Sequence, residues 1–170
     1  MELELQSPFT LVPNAFIVLI GPEEMLIDSL NCSLKKLQRL QVLYISGNYS
    51  RILDKLDRRF TELDVRRAFT AYQLMTILKE AYQTQIIFEY DPTLFEDATE
   101  MAEYVGQALK EVSNGSSVLL YSPWTDRHLE EVSKFADRVF VFNEVHKYVY
   151  KRASKKTTPG PRGQRTLEAF

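Results

Sequence analysis

Short apolar runs alternate along the chain with stretches in which apolar positions recur at intervals of three and four. Phe16-Ile17-Val18-Leu19-Ile20 is continuously apolar, rich in β-branched residues, and ends at Gly21-Pro22. That pattern predicts a strand buried on both faces. Met25, Leu26, Leu30, Leu34 and Leu37 follow with helical spacing, predicting a helix from Glu23 to Gln38 with Pro22 near its first turn. Val42-Leu43-Tyr44-Ile45 predicts a second strand, stopped by Ser46-Gly47-Asn48, so the first ~30 residues of this region form a parallel crossover unit.

The middle of the chain is expected to be mostly helical. Ile52, Leu53, Leu56 and Phe60 fall on one face of a short helix, and Ala68, Tyr72, Met75 and Leu78 form the stripe of a longer one from about Val65 to Tyr82. Gln85 to Tyr90 reads as a third strand ended by Pro92. A helix carrying Ala98, Met101, Ala102, Val105, Ala108, Leu109 and Val112 follows, with Asn114-Gly115 as its stop. Ser117 to Tyr121 is a fourth strand, and Leu129, Val132 and Phe135 mark another helix. Arg138 to Phe142 and Tyr148 to Tyr150 read as a closing hairpin. The expected class is α/β: a mainly parallel sheet flanked by helices, with a C-terminal antiparallel hairpin whose edge, near residues 138 to 150, could pair with another chain.

Composition narrows this little. The chain has 170 residues, 45% of them hydrophobic and 26% charged, enough for one domain that buries roughly 70% of its unfolded surface. No run reaches the ~20 apolar residues of a membrane span, and the start lacks the positive flank and apolar run of a secretion signal. Cys32 is the only cysteine and His128 and His146 the only histidines, so neither a disulfide framework nor a structural zinc site is expected. The expected compartment is the cytoplasm, with no membrane partner and no cofactor.

Charge is distributed unevenly. The net charge of −2 combines +5 on residues 151–170 with −7 on residues 1–150. An acidic body is a poor general binder of the DNA backbone, because phosphate affinity comes from clustered Lys and Arg. Arg58, Arg59, Arg66 and Arg67 make the one dense basic cluster in the body, and a contact to DNA or to a partner protein there stands against a solvated helix face.

The basic tail reads as a body (residues 1–153), a flexible linker (154–163) and a terminal peptide (164–170). Prolines and glycines in Thr157-Thr158-Pro159-Gly160-Pro161-Arg162-Gly163 deny the linker a helix or strand. As a flexible coil it would span on the order of 17 Å. In one tight turn, Leu167 and Phe170 point the same way as a two-pronged apolar plug, and the Gln164 amide can donate and accept at once. This spacing resembles the PIP box, the Q-x-x-(aliphatic)-x-x-(aromatic) peptide by which replication and repair proteins dock on the PCNA sliding clamp. The resemblance implies that Leu167 and Phe170 fill the clamp's hydrophobic pocket and Gln164 the polar one beside it. Many members carry a second aromatic directly after the first. Ending on Phe170 is tolerated in archaeal-style boxes and implies weaker binding.

A second resemblance spans about residues 14–150, whose order of elements is similar to the core of the RecA/RadA recombinase superfamily. The first strand ends in a glycine loop, the third ends at Glu89, and Ala136-Asp137-Arg138-Val139-Phe140 resembles the entry to that family's closing hairpin. The segment from Val65 to Leu74 is similar to a helix of recombinase paralogues. The resemblance implies a three-layer RecA-like fold and a RadA-type recombinase as a further partner. A Walker A loop, G-x-x-x-x-G-K-[ST], needs a second glycine for backbone wrapping, a lysine for charge and a hydroxyl for magnesium. Here Gly21-Pro22-Glu23-Glu24-Met25-Leu26-Ile27-Asp28 keeps only the first glycine, and two glutamates would repel a triphosphate. ATP hydrolysis is therefore not expected.

Three candidates remain. Glu89 and Asp91 point the same way on an extended strand, as a relic metal-binding pair or as polar residues emerging at a strand end; without the lysine the second is expected. His128 beside Arg127 lacks a nucleophile motif and is expected at a helix start. Trp124 and Tyr121 are read as core cover in preference to base-stacking rings. The expected function is thus a non-catalytic DNA repair or replication accessory that binds the sliding clamp. The alternatives are a recombinase-paralogue DNA-binding or partner protein, and a nucleotide-handling enzyme with an atypical phosphate loop.

Overall fold

The structure, a computed structural model, describes residues 3–4, 10–142 and 165–166. A two-residue ribbon, β1 (Leu3–Glu4) antiparallel to β2 (Thr10–Leu11), precedes the main sheet. That sheet contains β3 (Phe16–Ile20), β4 (Val42–Ser46), β5 (Leu63–Arg67), β6 (Gln85–Glu89), β7 (Ser117–Ser122) and β8 (Arg138–Val141), all parallel, with β9 (Arg165–Thr166) antiparallel at one edge. Their order across it is β5-β4-β6-β7-β3-β8-β9. Every residue of β3, β4, β6 and β7 is buried. Hence these strands are apolar on both faces, as parallel strands between two helical layers must be.

The helices are α1 (Glu23–Cys32), α2 (Leu34–Leu37), α3 (Ala71–Glu80), α4 (Met101–Val112) and α5 (Arg127–Ser133). From α3, α4 and α5, Leu74, Leu78, Val105, Leu109 and Val132 pack on the face carrying Val18, Ile45, Phe88 and Leu120. From α1 and α2, Leu26, Leu30 and Leu37 cover the opposite face, with Leu19, Tyr44, Ile87 and Leu119. The protein is an α/β fold of three layers, consistent with a RecA-like arrangement.

Close packing fixes how α4 meets α5. A Cβ on Gly106 would sit 2.5 Å from Phe135 Cδ2 and 3.1 Å from the Val132 carbonyl oxygen, so only glycine lets the two helices approach this closely. Asp137 fixes β8 beside β3: its Oδ2 accepts from the Phe16 N–H at 2.8 Å, its own N–H donates to the Phe16 carbonyl at 2.8 Å, and Lys110 Nζ from α4 lies 2.5 Å from Oδ1.

Several expected elements are corrected. The helix from Glu23 to Gln38 breaks at Ser33 into α1 and α2. The helix expected over Ile52 to Phe60 is a single 3-10 turn, Leu53–Lys55. The helix expected from Val65 begins instead at Ala71, because Thr70 caps it by accepting from the Gln73 N–H, and Leu63–Arg67 before it is the edge strand β5. The helix expected from Ala98 starts at Met101, after a 3-10 turn at Pro92–Phe95.

The antiparallel edge is present, with a different donor: Thr166 pairs with Phe140 and Arg165 with Val141. Two residues expected in a free tail are therefore strand-paired, and the edge expected to be open at β8 is covered. Tyr148 to Tyr150 and the linker 154–163 lie outside the described residues.

Candidate functional site

In an open parallel sheet, ligands bind outside the carboxyl ends of the strands, where two neighbouring strands lead off to opposite sides. Here that point lies between β3, whose chain leaves through α1 on one face, and β7, whose chain leaves through α5 on the other. The crevice is closed by the protein's own hydrogen bonds. The Gly21 N–H donates to the Ser122 carbonyl at 3.1 Å, and the Tyr121 hydroxyl donates to the Gly21 carbonyl at 3.1 Å. From the outer side, the Phe142 N–H donates to the Ile20 carbonyl at 2.8 Å.

The loop itself is short. Pro22 is the N-cap of α1, and Glu23 and Glu24 occupy its first turn, where they complement the helix dipole. Glu23 is paired with Lys55 at 2.5 Å. Met25 Cε and Phe142 Cβ lie 3.1 and 3.2 Å from where a Cβ on Gly21 would be, so side chains fill the space over the loop.

Next to this crevice, Glu89 organises the loop after β4. Its Oε2 accepts from the Tyr44 hydroxyl at 2.7 Å and from the Ser50 hydroxyl at 2.5 Å, and its Oε1 accepts from the Arg51 N–H at 2.6 Å. Ser50 Oγ in turn accepts from the Leu53 N–H at 2.9 Å and starts the 3-10 turn. Glu89 is 5% exposed, so it does not emerge at the strand end as expected. Alternation with Ile87 turns it inward, and three donors occupy both oxygens. It acts as an anchor for a loop. Burial, and after it the Glu89 charge, push the Tyr44 phenol far above its ordinary range, which keeps that hydroxyl a donor.

Asp91 lies beside it with a different task. Its Oδ2 accepts from the Asn48 N–H at 3.1 Å and its Oδ1 from the Thr93 N–H at 3.0 Å. A Cβ on Gly47 would fall 2.1 Å from that Oδ2, so glycine is required where β4 turns past Asp91. Tyr90 donates to Asp126, which caps α5 by accepting from the Leu129 N–H. Burial, and after it the Asp126 carboxylate, raise the Tyr90 phenol as well.

The expected site residues are distributed as follows. Tyr121 is buried under the Gly21 loop, so it offers no face to a base, and burial raises its phenol pKa. Trp124 is 41% exposed and does not close the core; one ring face carries the Arg51 guanidinium, 4.9 Å from the ring centroid. His128 is the second residue of α5 and stacks on Phe95 at 5.4 Å. The four arginines do not form one patch on a helix. Arg58 and Arg59 precede β5 and Arg66 and Arg67 end it, so the two pairs lie on different elements with the first residues of the strand, about 10 Å from Leu63 to Arg66, between them. Arg59 is tied to Asp57 and Arg66 to Glu80. Gln164, Leu167 and Phe170 lie outside the described residues, flanking the two that form β9.

Ser50, Tyr44 and Arg51 were not legible as members of this cluster, because only the tertiary fold brings residues 38 to 45 positions away onto Glu89. Among the described residues, no group of three or more His, Cys, Asp and Glu side chains could hold a metal ion. None of the helices there is long and apolar enough to cross a membrane. A groove of about 440 Å³ opens at the far end of the sheet, between the C-terminal ends of α3 and α4, lined by Met75, Leu78, Tyr82, Ala108 and Val112.

No family model matches the chain. An uncharacterized protein of Archaeoglobus fulgidus is 32% identical to it over 168 residues, covering 94% of this chain and 84% of that one. The chain belongs to the family of that archaeal protein. In this family member the carboxyl edge of the sheet is a set of interlocked loops. Its carboxylates are engaged with internal donors, and its glycine loop is packed with side chains.

Proposed function

We infer that the protein is a non-catalytic accessory of DNA replication or repair that docks on the PCNA sliding clamp through Gln164, Leu167 and Phe170. The observation that carries this reading is the spacing of those residues, a glutamine, an aliphatic and an aromatic at intervals of three, behind a basic, Pro/Gly-broken approach. The body supports it through what occupies the phosphate position. The Gly21 N–H is spent on Ser122, two glutamates open α1, and Met25 and Phe142 crowd the glycine. A triphosphate would have to displace these contacts and meet like charge. The setting of this activity is the cytoplasm, at the nucleoid.

Docking has one structural requirement. Arg165 and Thr166 are hydrogen-bonded to β8, so the peptide must leave the sheet edge, or present its anchors on either side of it, when the clamp binds. Calorimetric titration of the whole protein into the clamp tests the reading. Binding is expected for the native chain and its loss for Leu167→Ala with Phe170→Ala, since each buried apolar anchor contributes roughly 1.5–3 kcal/mol. Unchanged binding by the double variant would overturn it.

A further inference from the structure

Strand β5 has a partner on one side only: β4 covers its inner edge and no other described strand covers the outer one. The Ala68 N–H donates to the Ser46 carbonyl at 2.9 Å, which sets the phase of the ladder. Backbone groups of Asp64 and Arg66 therefore face β4, and those of Leu63, Val65 and Arg67 face outward. There is no proline and no bulge in Leu63–Arg67, and Val65 at its centre is 43% exposed; what guards this short edge is the charge of Asp64, Arg66 and Arg67, which turns away unlike strands and selects for a complementary one. Beyond its end, Phe69 and Tyr72 are 53% and 61% exposed, large apolar surface for a free flank.

The charges along the strand favour one occupant. If a second copy lies antiparallel about Val65, then Val65 faces Val65 of the copy, Leu63 faces Arg67, and Asp64 faces Arg66. Both charged residues lie on the α3 side, where Asp64 accepts from Gln83 at 2.8 Å and Arg66 donates to Glu80 at 2.7 Å. These bonds hold the two side chains at the edge and leave free a carboxylate lone pair and guanidinium N–H groups. In this register the outward residues exchange N–H and C=O bonds. Asp64 and Arg66 become directly opposed residues of the non-hydrogen-bonded kind, whose side chains approach most closely. A two-fold axis creates each opposite-charge pair twice.

We propose that β5 is a self-association edge through which two copies join into one continuous sheet, with Val65 on the axis and Asp64 of each copy against Arg66 of the other. An unrelated acidic peptide would meet Arg66 and Arg67 and be repelled by Asp64; a second copy satisfies both signs. The interface is independent of the clamp peptide and lies at the opposite edge of the sheet from β9.

Sedimentation equilibrium of the full chain tests this. The native protein is expected at twice its chain mass at micromolar concentration. Val65→Pro removes only an outward N–H, so the monomer should keep its circular dichroism while the dimer dissociation constant rises at least tenfold. Asp64→Lys and Arg66→Glu should each give monomers. Their equimolar mixture should recover the dimer, because the lysine introduced in one chain then faces the glutamate introduced in the other, and the Arg66 and Asp64 left unchanged face each other. A native monomer at about 100 μM, a dimer indifferent to Val65→Pro, or a mixture that stays monomeric would overturn the proposal.

Discussion

A single carboxylate can hold a loop more firmly than many apolar contacts, because a buried donor without an acceptor is costly. Glu89 receives two hydroxyls and one backbone N–H. Glu89→Ala should destabilise the protein by about 2–4 kcal/mol in urea unfolding, since the Tyr44 hydroxyl and the Arg51 N–H both lose their acceptor. Tyr44→Phe removes a donor and leaves Glu89 two others, so its cost should be nearer ~1 kcal/mol. A larger loss for Tyr44→Phe than for Glu89→Ala would mean that the carboxylate does not organise the loop. The sequence placed Glu89 at the end of its strand, and the alternation with Ile87 was available to turn it inward. Its donors were not available, because Tyr44 and Ser50 reach it from another strand and another loop.

At the scale of elements, legibility followed burial. β3, β4, β6 and β7 are enclosed on both faces, so their apolar runs stand out of the sequence and were placed within a residue or two. β5 is an edge strand with a mostly exposed, charged sequence, and Val65, Ala68 and Tyr72 happen to fall at helical spacing across its junction with α3. The signal that would have divided them is Thr70 followed three residues later by Gln73, the spacing of a capping box. Gln73 reaches back to the Phe69 N–H at 2.8 Å while Thr70 accepts from Gln73. The α4–α5 contact likewise depends on a residue that periodicity ignores. Gly106→Ala should cost roughly 1 kcal/mol net, overpacking against Phe135 outweighing the better helix propensity of alanine. Gly115→Ala, with nothing near its Cβ position, should be neutral or slightly stabilising and serves as the control. Equal thermal midpoints for the two variants would contradict this account of the interface.

For the whole molecule, the joint that matters is the one that closes the sheet. β8 enters beside β3 only after the chain has crossed the α5 face, and Asp137 at its start bonds Phe16 on β3 and Lys110 on α4. Burial raises the Asp137 carboxyl, but the Lys110 ammonium and the Phe16 N–H outweigh it and hold the group below its ordinary value. Its folded pKa is therefore lower than its unfolded one, which lies near ~3.9. The stability it contributes is complete above that value and is lost as pH falls through the folded pKa. Urea midpoints should fall as the pH is lowered through the unfolded carboxylate range, ~4, and on below it, and Asp137→Asn should flatten part of that fall. The ion pair is substantially exposed, so the difference at neutral pH should be small, on the order of 0.5–1 kcal/mol, and smaller still in molar salt. Asp57, held at about 2 by its bonds to Arg59, titrates in both proteins and cancels from the comparison. If Asp137→Asn followed the native pH curve in parallel, the carboxylate would not be the group that links β8 to the rest of the sheet. The Phe16–Asp137 backbone contact alone would then carry the joint.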